Sequence, residues 1–454
     1  MPRWSGLHPN MFSGILSAMG YKRTATTCTV QLVAYRNLSA TTTALWETLR
    51  REAGRCWTDL VQAHLASRHA GTWLTDADLR ALTKGGRYCL HSQSIQALAQ
   101  RLLANVDTAG SLRQQEQAVG GDIRTRFPYK PKAYTTVIWK DQAIRVHDGC
   151  LQLPNGRGQP DLVLPLPARL QHVSIRKVEL LWRADHYQLA LTIEQPPEPP
   201  LLSAGQTAGV DLGEINPAAV VTEAGQALII NGRLLRHHKQ LRNKRHAAYQ
   251  ERMARCRKGS RRWKRLKRRR VRASAKLYRQ QRNHLHQASR KVVDFAVQQG
   301  VNRLAVGDIR DVADGVKKGA VANQKISQWP HGQFMQYLSY KARRQSIAVE
   351  QIAEDYSART CSYCNHQRAS APRGRVFRCP NPGCGAIVHR DGNGAANICS
   401  QACFGVYGKI HPLQIRHLRA TVVGATTLAS VAGSASGRDA RSGHRQKPPV
   451  FSGR

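Results

Sequence analysis

The stretch TAGVDLGEINPAAVVTEAGQALII, residues 207–230, holds three β-forming runs separated by turn residues. Strands are expected at 208–213, 217–222 and 226–230, joined through Asn216-Pro217 and Ala224-Gly225. A long basic helical segment, 233–299, comes next and breaks at Gly259-Ser260. Then follow a strand at 302–308 that ends in Asp308, a helix at 332–345, a strand at 346–355 that ends in Glu354-Asp355, and a helix after Asp391.

Three antiparallel strands followed by α-β-α-β-α is the order of an RNase H-like α/β fold. The first strand is then central, so Asp211 should project from its middle while Gly209 and Gly213 leave room for a substrate backbone. A lone strand-end aspartate is more often a turn acceptor, and an aspartate at a helix start, such as Asp391, is more often a cap. Here successive elements deliver Asp211, Asp308, Glu354 and Asp391 toward one edge, and such acids repel unless cations bind them. Two Mg²⁺ ions about 4 Å apart, serving phosphodiester cleavage, are the usual solution. His389 and Arg390 either assist with phosphate or hold the helix start.

Charge narrows the partners. Against 70 Lys and Arg there are 28 Asp and Glu, a formal charge of +42 on 454 residues. A duplex of about 20 base pairs carries roughly 40 phosphates, so this excess suits a protein that encloses a long nucleic acid. The apolar stretch MFSGILSAMG (11–20) is too short and glycine-broken to span a membrane and lacks a signal-cleavage pattern, so no membrane is expected and the chain reads as cytosolic, with Met19 an alternative start.

Of eleven cysteines, Cys361, Cys364, Cys379 and Cys384 cluster as C-S-Y-C and C-P-N-P-G-C. Two such knuckles can converge on one structural Zn²⁺; the alternative is reduced thiols without metal. Four thiolates leave no open coordination position, which puts any chemistry elsewhere.

Before the proline-rich linker at 198–206, a strand at 27–36 precedes a helical region (40–121), and strands return over 122–197, the last two forming a hairpin at Ala184-Asp185. A β-element, 1–39 and 122–197, is thus split by helices. The remaining expected divisions are 207–360, the cysteine ribbon 361–388, 389–403, and a basic tail, 404–454, with little structure.

GVDLG, the strand ending at Asp308, QWPHGQFMQYLSYKA, EDYSARTCSYC, the second cysteine pair and HRDGNGAAN, in this order, resemble the TnpB family of transposon-encoded, RNA-guided DNA nucleases with a RuvC domain, related to type V CRISPR effectors. The resemblance covers 207–398; the N-terminal part agrees in layout, a barrel-like β wedge domain interrupted by a helical recognition region. It implies a Mg²⁺-dependent DNA endonuclease in a prokaryotic cytoplasm, on the nucleoid when DNA-bound. One chain would act with one guide RNA from the transposon end on double-stranded target DNA beside a short protein-read motif. The family commonly carries a glutamate where this sequence has Gly307-Asp308. The expected metal-binding set is therefore Asp211, Glu354 and Asp391, with Asp308 the alternative to Glu354 and an inactive site the remaining option.

RRWKRLKRRR (261–270) supplies Arg261, Arg262, Lys264, Arg265, Lys267, Arg268, Arg269 and Arg270. A charge run is ordinarily a solvated face. Within proline-free helix formers it reads instead as a helical hairpin turning at Gly259 and clamping guide RNA or heteroduplex. Two other functions compete: a guide-bound repressor that does not cut, and a transposase performing strand transfer.

Overall fold

The computed structural model describes residues 28–35, 38–120, 122–184, 186–196, 199–309, 319–370, 372, 374–412 and 414–419. Met19, the 11–20 stretch, Asp185 and everything after 419 lie outside them.

The first half of the chain is a sheet interrupted by helices. Strand β1 (Cys28–Tyr35) is followed by helices α1 (Ala40–His69), α2 (Asp76–Leu82) and α3 (Ser92–Ala118), and then by strands β2 (Val137–Lys140), β3 (Arg145–His147), β4 (Cys150–Leu153), β5 (Leu162–Pro165), β6 (Ile175–Arg183) and β7 (His186–Glu194). Local chemistry starts the helices: the Ser39 hydroxyl accepts from the Thr42 amide, and Thr75 and Asp78 close a capping box. β1 returns across the helical region to pair antiparallel with β7, giving the order β1-β7-β6-β2. β3, β4 and β5 form a separate sheet. Among the described residues the expected barrel-like closure is not seen, because β1 and β2 remain edges of the four-stranded sheet. Trp46, Trp57 and Trp139 anchor the core shared by the helices and strands.

The second half is a six-stranded sheet. It contains β8 (Gln206–Asp211), β9 (Ala218–Thr222), β10 (Gln226–Asn231), β11 (Val301–Gly307) and β12 (Ala348–Ile352). The helices are α4 (Arg233–Ala254), α5 (Arg261–Gln298), α6 (Ala320–Ser327), α7 (His331–Arg343) and α8 (Arg390–Phe404). A small hairpin, β13 (Val376–Arg378) with β14 (Ile387–His389), precedes α8, and β15 (Gln414–Arg419) comes last. The order is β12-β11-β8-β9-β10-β15, with β8 to β10 antiparallel and β11 and β12 parallel to β8, as an RNase H-like arrangement requires.

Alternation along β9 decides which helices cover which face. Ala218 and Val220 join α5 and α7 in one core, while Ala219 and Val221 meet Ala395, Ala396 and Cys399 of α8 in another. Each fully buried valine or leucine contributes about 1.5–3 kcal/mol. Gly209 serves this packing: a β-carbon there would overlap the Ala395 carbonyl and the Cys399 amide. The room expected for substrate beside Gly209 is thus taken by α8.

Three further expectations change. Asp211 ends β8 instead of standing in its middle. β12 stops at Ile352, so Glu354 lies in the following turn, where its carbonyl accepts from the Ser357 amide at 3.0 Å. Within the segment read as an unstructured tail, β15 pairs in parallel with β10 along its whole length. The sequence reading also missed α6.

Candidate metal centres and nucleic-acid face

The parallel strands β8 and β11 end side by side, and their C-terminal edge carries Asp211 and Asp308, as α/β sheets commonly present ligand-binding groups. The Asp308 amide donates to the Ile352 carbonyl at 2.8 Å, which brings the turn after β12 against the same edge. Glu354 folds back from that turn over Gly307. A β-carbon at 307 would overlap Glu354 Oε2, so the missing side chain makes the space that this carboxylate fills. Among the described residues Oε2 is buried without a hydrogen-bond partner. Burial, followed by the neighbouring charges of Asp211, Asp308 and Asp355, pushes the Glu354 carboxyl up to about 8. Asp211 is likewise raised to about 7, by burial and then by Asp391. Its Oδ2 lies 2.8 Å from where a β-carbon at Gly394 would be, so that glycine lets α8 approach Asp211.

Asp391 is 7% exposed and occupies the first turn of α8, whose cap is His389: the His389 Nδ1 accepts from the Asp391 amide at 3.2 Å. His389 therefore holds the helix start. Asn216 Nδ2 and the Arg375 guanidinium donate to Asp391 Oδ2 at 2.7 and 2.8 Å, and Arg390 donates to Oδ1 at 3.2 Å. The four acids thus gather at one edge as two pieces, Glu354 with Asp211 and Asp308, and Asp391 beside Asp211 under two arginines. Two asparagines that sequence reasoning passed over position the turn. Asn393 and Asn397 of α8, both fully buried, each donate to the Thr360 carbonyl at 2.7 Å, and Asn397 also reaches the Ser357 carbonyl at 2.8 Å. Asn393 Oδ1 accepts from the Ser362 amide at 2.9 Å. Their spacing of four on one helix face was the available signal.

The cysteine ribbon meets the geometric test for a tetrahedral ion. Sγ atoms of Cys361, Cys364, Cys379 and Cys384 all lie within 4.8 Å of one another, with Cys361–Cys384 at 3.9 Å and Cys364–Cys379 at 3.5 Å. Thiolates about 2.3 Å from one zinc would stand roughly 3.8 Å apart. Phe377, Cys361, Cys379 and Val388 form a small core beneath the knuckles. Among the described residues this is the one group of three or more such ligands so closely drawn together.

The helical hairpin turns where expected. Gly259 takes φ +87°, and the Ser260 hydroxyl caps α5 by accepting from the Trp263 amide at 3.2 Å. Arg261, Arg262, Lys264, Arg265, Arg268 and Arg269 line one open trough together with Arg272. Lys267 lies instead over the Trp263 ring at 5.1 Å, and Arg270 is outside the trough lining.

Two family models match segments of this chain. One described as "Probable transposase" covers residues 190–313, and "Cas12f1-like, TNB domain" covers 331–398. The TnpB resemblance fits. Most of the TnpB-like motifs fall inside these two segments, GVDLG and Asp308 in the first, the cysteine pairs and HRDGNGAAN in the second, while QWPHGQFMQYLSYKA begins three residues before the second. The CRISPR-associated endodeoxyribonuclease Cas12f1 of Sulfoacidibacillus thermotolerans is 27% identical over 114 residues, 25% of either chain. Cas12f2 of Micrarchaeota archaeon (strain CG1_02_47_40) is 27% identical over 128 residues, 26% of this chain and 23% of that one. The match spans about a quarter of each of these relatives. A solved Cas12f1–sgRNA–target DNA complex shares the fold at TM-score 0.52 and 14% identity, over 80% of this chain and 83% of that one. Among the described residues no helix is long and apolar enough to cross a membrane.

Proposed function

We propose that this chain is an RNA-guided, Mg²⁺-dependent DNA endonuclease of RuvC type, encoded by a transposable element and cutting target DNA beside a short motif read by the protein. The observation that carries this reading is the buried Glu354 oxygen, unpartnered among the described residues and within the electrostatic reach of Asp211 and Asp308, at the C-terminal edge of an RNase H-ordered sheet. A buried carboxylate oxygen without a donor, among other acids, suits a cation. Bound there, a pair of Mg²⁺ ions supplies an activated water and stabilises the leaving oxygen of a phosphodiester.

The chain's own residues supply the placement. Asp211 and Glu354 offer ligand oxygens from a strand end and an adjoining turn, and Asn393 and Asn397 fix that turn on α8. Asp391, which accepts from Arg375 and Arg390, would be the third carboxylate to hold the metal, and those two arginines stand beside it to meet phosphate. The trough on α5 holds the nucleic-acid backbone, and the zinc-bound ribbon braces the Glu354 turn against α8. The expected divisions, a β wedge split by a recognition region and a RuvC domain split by the ribbon, belong to this proposal, as do the guide RNA, the double-stranded target and a single chain per guide.

The pairing of Asp391 with two arginines favours one other reading, a guide-bound repressor that does not cut. Sequencing the RNA that co-purifies with the chain, and offering DNA that matches it, separates the two. Mg²⁺-dependent cutting that disappears in Asp211→Ala is expected. Target binding with no cutting in the parent chain makes it a repressor, and absence of any bound RNA removes guidance.

A further inference from the structure

A second recess lies where the β6–β7 hairpin faces α5. It is a cleft of about 620 Å³, room enough for a nucleotide. One wall carries Trp182, Arg183 and Gln188, and the other carries Tyr278, Arg279 and Arg282, with Asn283 beside them. No described lining residue is acidic. Trp182 and Tyr278 are 44% and 51% exposed, so both rings reach solvent at the cleft. Trp182 is braced from behind: Tyr187, its cross-strand partner, meets it edge-on at 4.8 Å and is itself buried against Trp46 at 5.1 Å. A ring held this way is a fixed platform.

The cleft also continues the basic trough. Arg261, Arg265, Arg268, Arg272, Ala275, Arg279, Arg282 and His286 follow one another at intervals of four and three, a single stripe along α5. The first four line the trough and the last four line the cleft. At 1.5 Å per residue, Arg272 and Arg279 stand about 10 Å apart along the axis, within one or two nucleotide steps of an extended strand.

We propose that this cleft is a subsite for an unpaired nucleotide, its base laid on Trp182 and Tyr278 and its phosphate held by Arg279 and Arg282, on a strand led in along the α5 stripe. Aromatic platforms beside a positive groove bind single strands through stacking, whereas a duplex keeps its bases stacked on one another. The side-chain amides of Gln188, Asn283 and Gln333 at the wall can meet base edges. The inference rests on the reading of the chain as a nucleic-acid enzyme and adds where a single strand is held.

The test uses the full chain with short single strands carrying one 5-iodouracil, as RNA and as DNA, and with a blunt duplex of equal length. Irradiation should cross-link the iodobase to Trp182 or Tyr278, and whichever sugar cross-links more identifies the strand. Tyr278→Ala should weaken single-strand binding about tenfold and duplex binding by less than about twofold, while Tyr278→Phe, which keeps the ring, should bind like the parent. Trp182 packs on Tyr187, so the exposed Tyr278 carries the decision. Cross-links confined to 261–272, or equal losses for single strand and duplex in Tyr278→Ala, overturn the subsite and leave the nuclease reading standing. A parent chain that binds none of the three probes overturns both.

Discussion

The cysteine ribbon and the carboxylate edge are both clusters of like side chains, drawn together over very different lengths of chain. The four thiols come from residues 361–384, where two turns and a short hairpin bring them within 4.8 Å. The acids come from the ends of β8 and β11, the turn after β12 and the start of α8, and they meet only because the sheet sets those ends side by side. The thiols are softened by amide donors such as Tyr363 N to Cys361 Sγ at 3.4 Å. Among the described residues Glu354 Oε2 has none, and burial and its acidic neighbours raise its carboxyl. A local cluster can be complete in itself, whereas a distant one depends on every element that aims it.

The largest expected effect tests the local cluster. Cys361→Ser or Cys384→Ser should release about one zinc per chain, because structural zinc contributes roughly 10 kcal/mol or more to such small modules at neutral pH. Metal analysis together with limited proteolysis across 361–389 reads the outcome. Well-folded, active parent protein that carries no zinc would erase the contrast.

Next is the distant cluster. Glu354→Gln, like Asp211→Ala and Asp391→Ala, should lower Mg²⁺-dependent cleavage on the order of 10³-fold while target binding stays near that of the parent. Asp308→Ala should keep measurable cutting. If Asp308→Ala is dead and Glu354→Gln still cuts, the strand-end aspartate, and not Glu354, completes the metal site. If all of them cut like the parent, the edge is not the site.

A smaller effect isolates the space that Gly307 provides. Gly307→Ala should displace the Glu354 carboxylate and reduce cleavage by about tenfold, with little change in melting temperature, since the atoms that would overlap, Glu354 Oε2 and to a smaller extent Ile398 Cδ1, are the ends of side chains. In a Glu354→Ala background the same change should cost nothing further, because coupled residues are not additive. Additive losses would show that Gly307 acts through something other than Glu354.

The smallest effect is in stability against pH. The raised carboxyls, about 7 for Asp211 and about 8 for Glu354, bind protons more tightly in the folded than in the unfolded chain. Their contribution is fully present below about pH 4 and declines as pH rises through about 8. In Mg²⁺-free buffer, with zinc retained, the melting temperature should therefore fall between about pH 5 and 8.5, and less so in Glu354→Gln. Equal falls in parent and variant would remove this pair as the cause.

The sequence by itself determined the antiparallel run β8–β9–β10 of the second sheet, since the β-forming runs of 207–230 and the turns at Asn216-Pro217 and Ala224-Gly225 are local chemistry. It likewise determined the cysteine pairs, the hairpin turn at Gly259 and the split of the first sheet by helices. Each of these depends on residues close in the chain. Tertiary structure alone decided that Glu354 leaves β12 and turns back over Gly307, that Asp391 sits under Arg375 and Arg390, and that α8 fills the space beside Gly209. It also decided that 414–419 becomes an edge strand, because β10 offered an unpaired ladder that no nearby residue announces. The division has one physical cause: a turn or a knuckle is set by neighbours in sequence, whereas where a carboxylate points is set by the volume and charge that other elements leave around it.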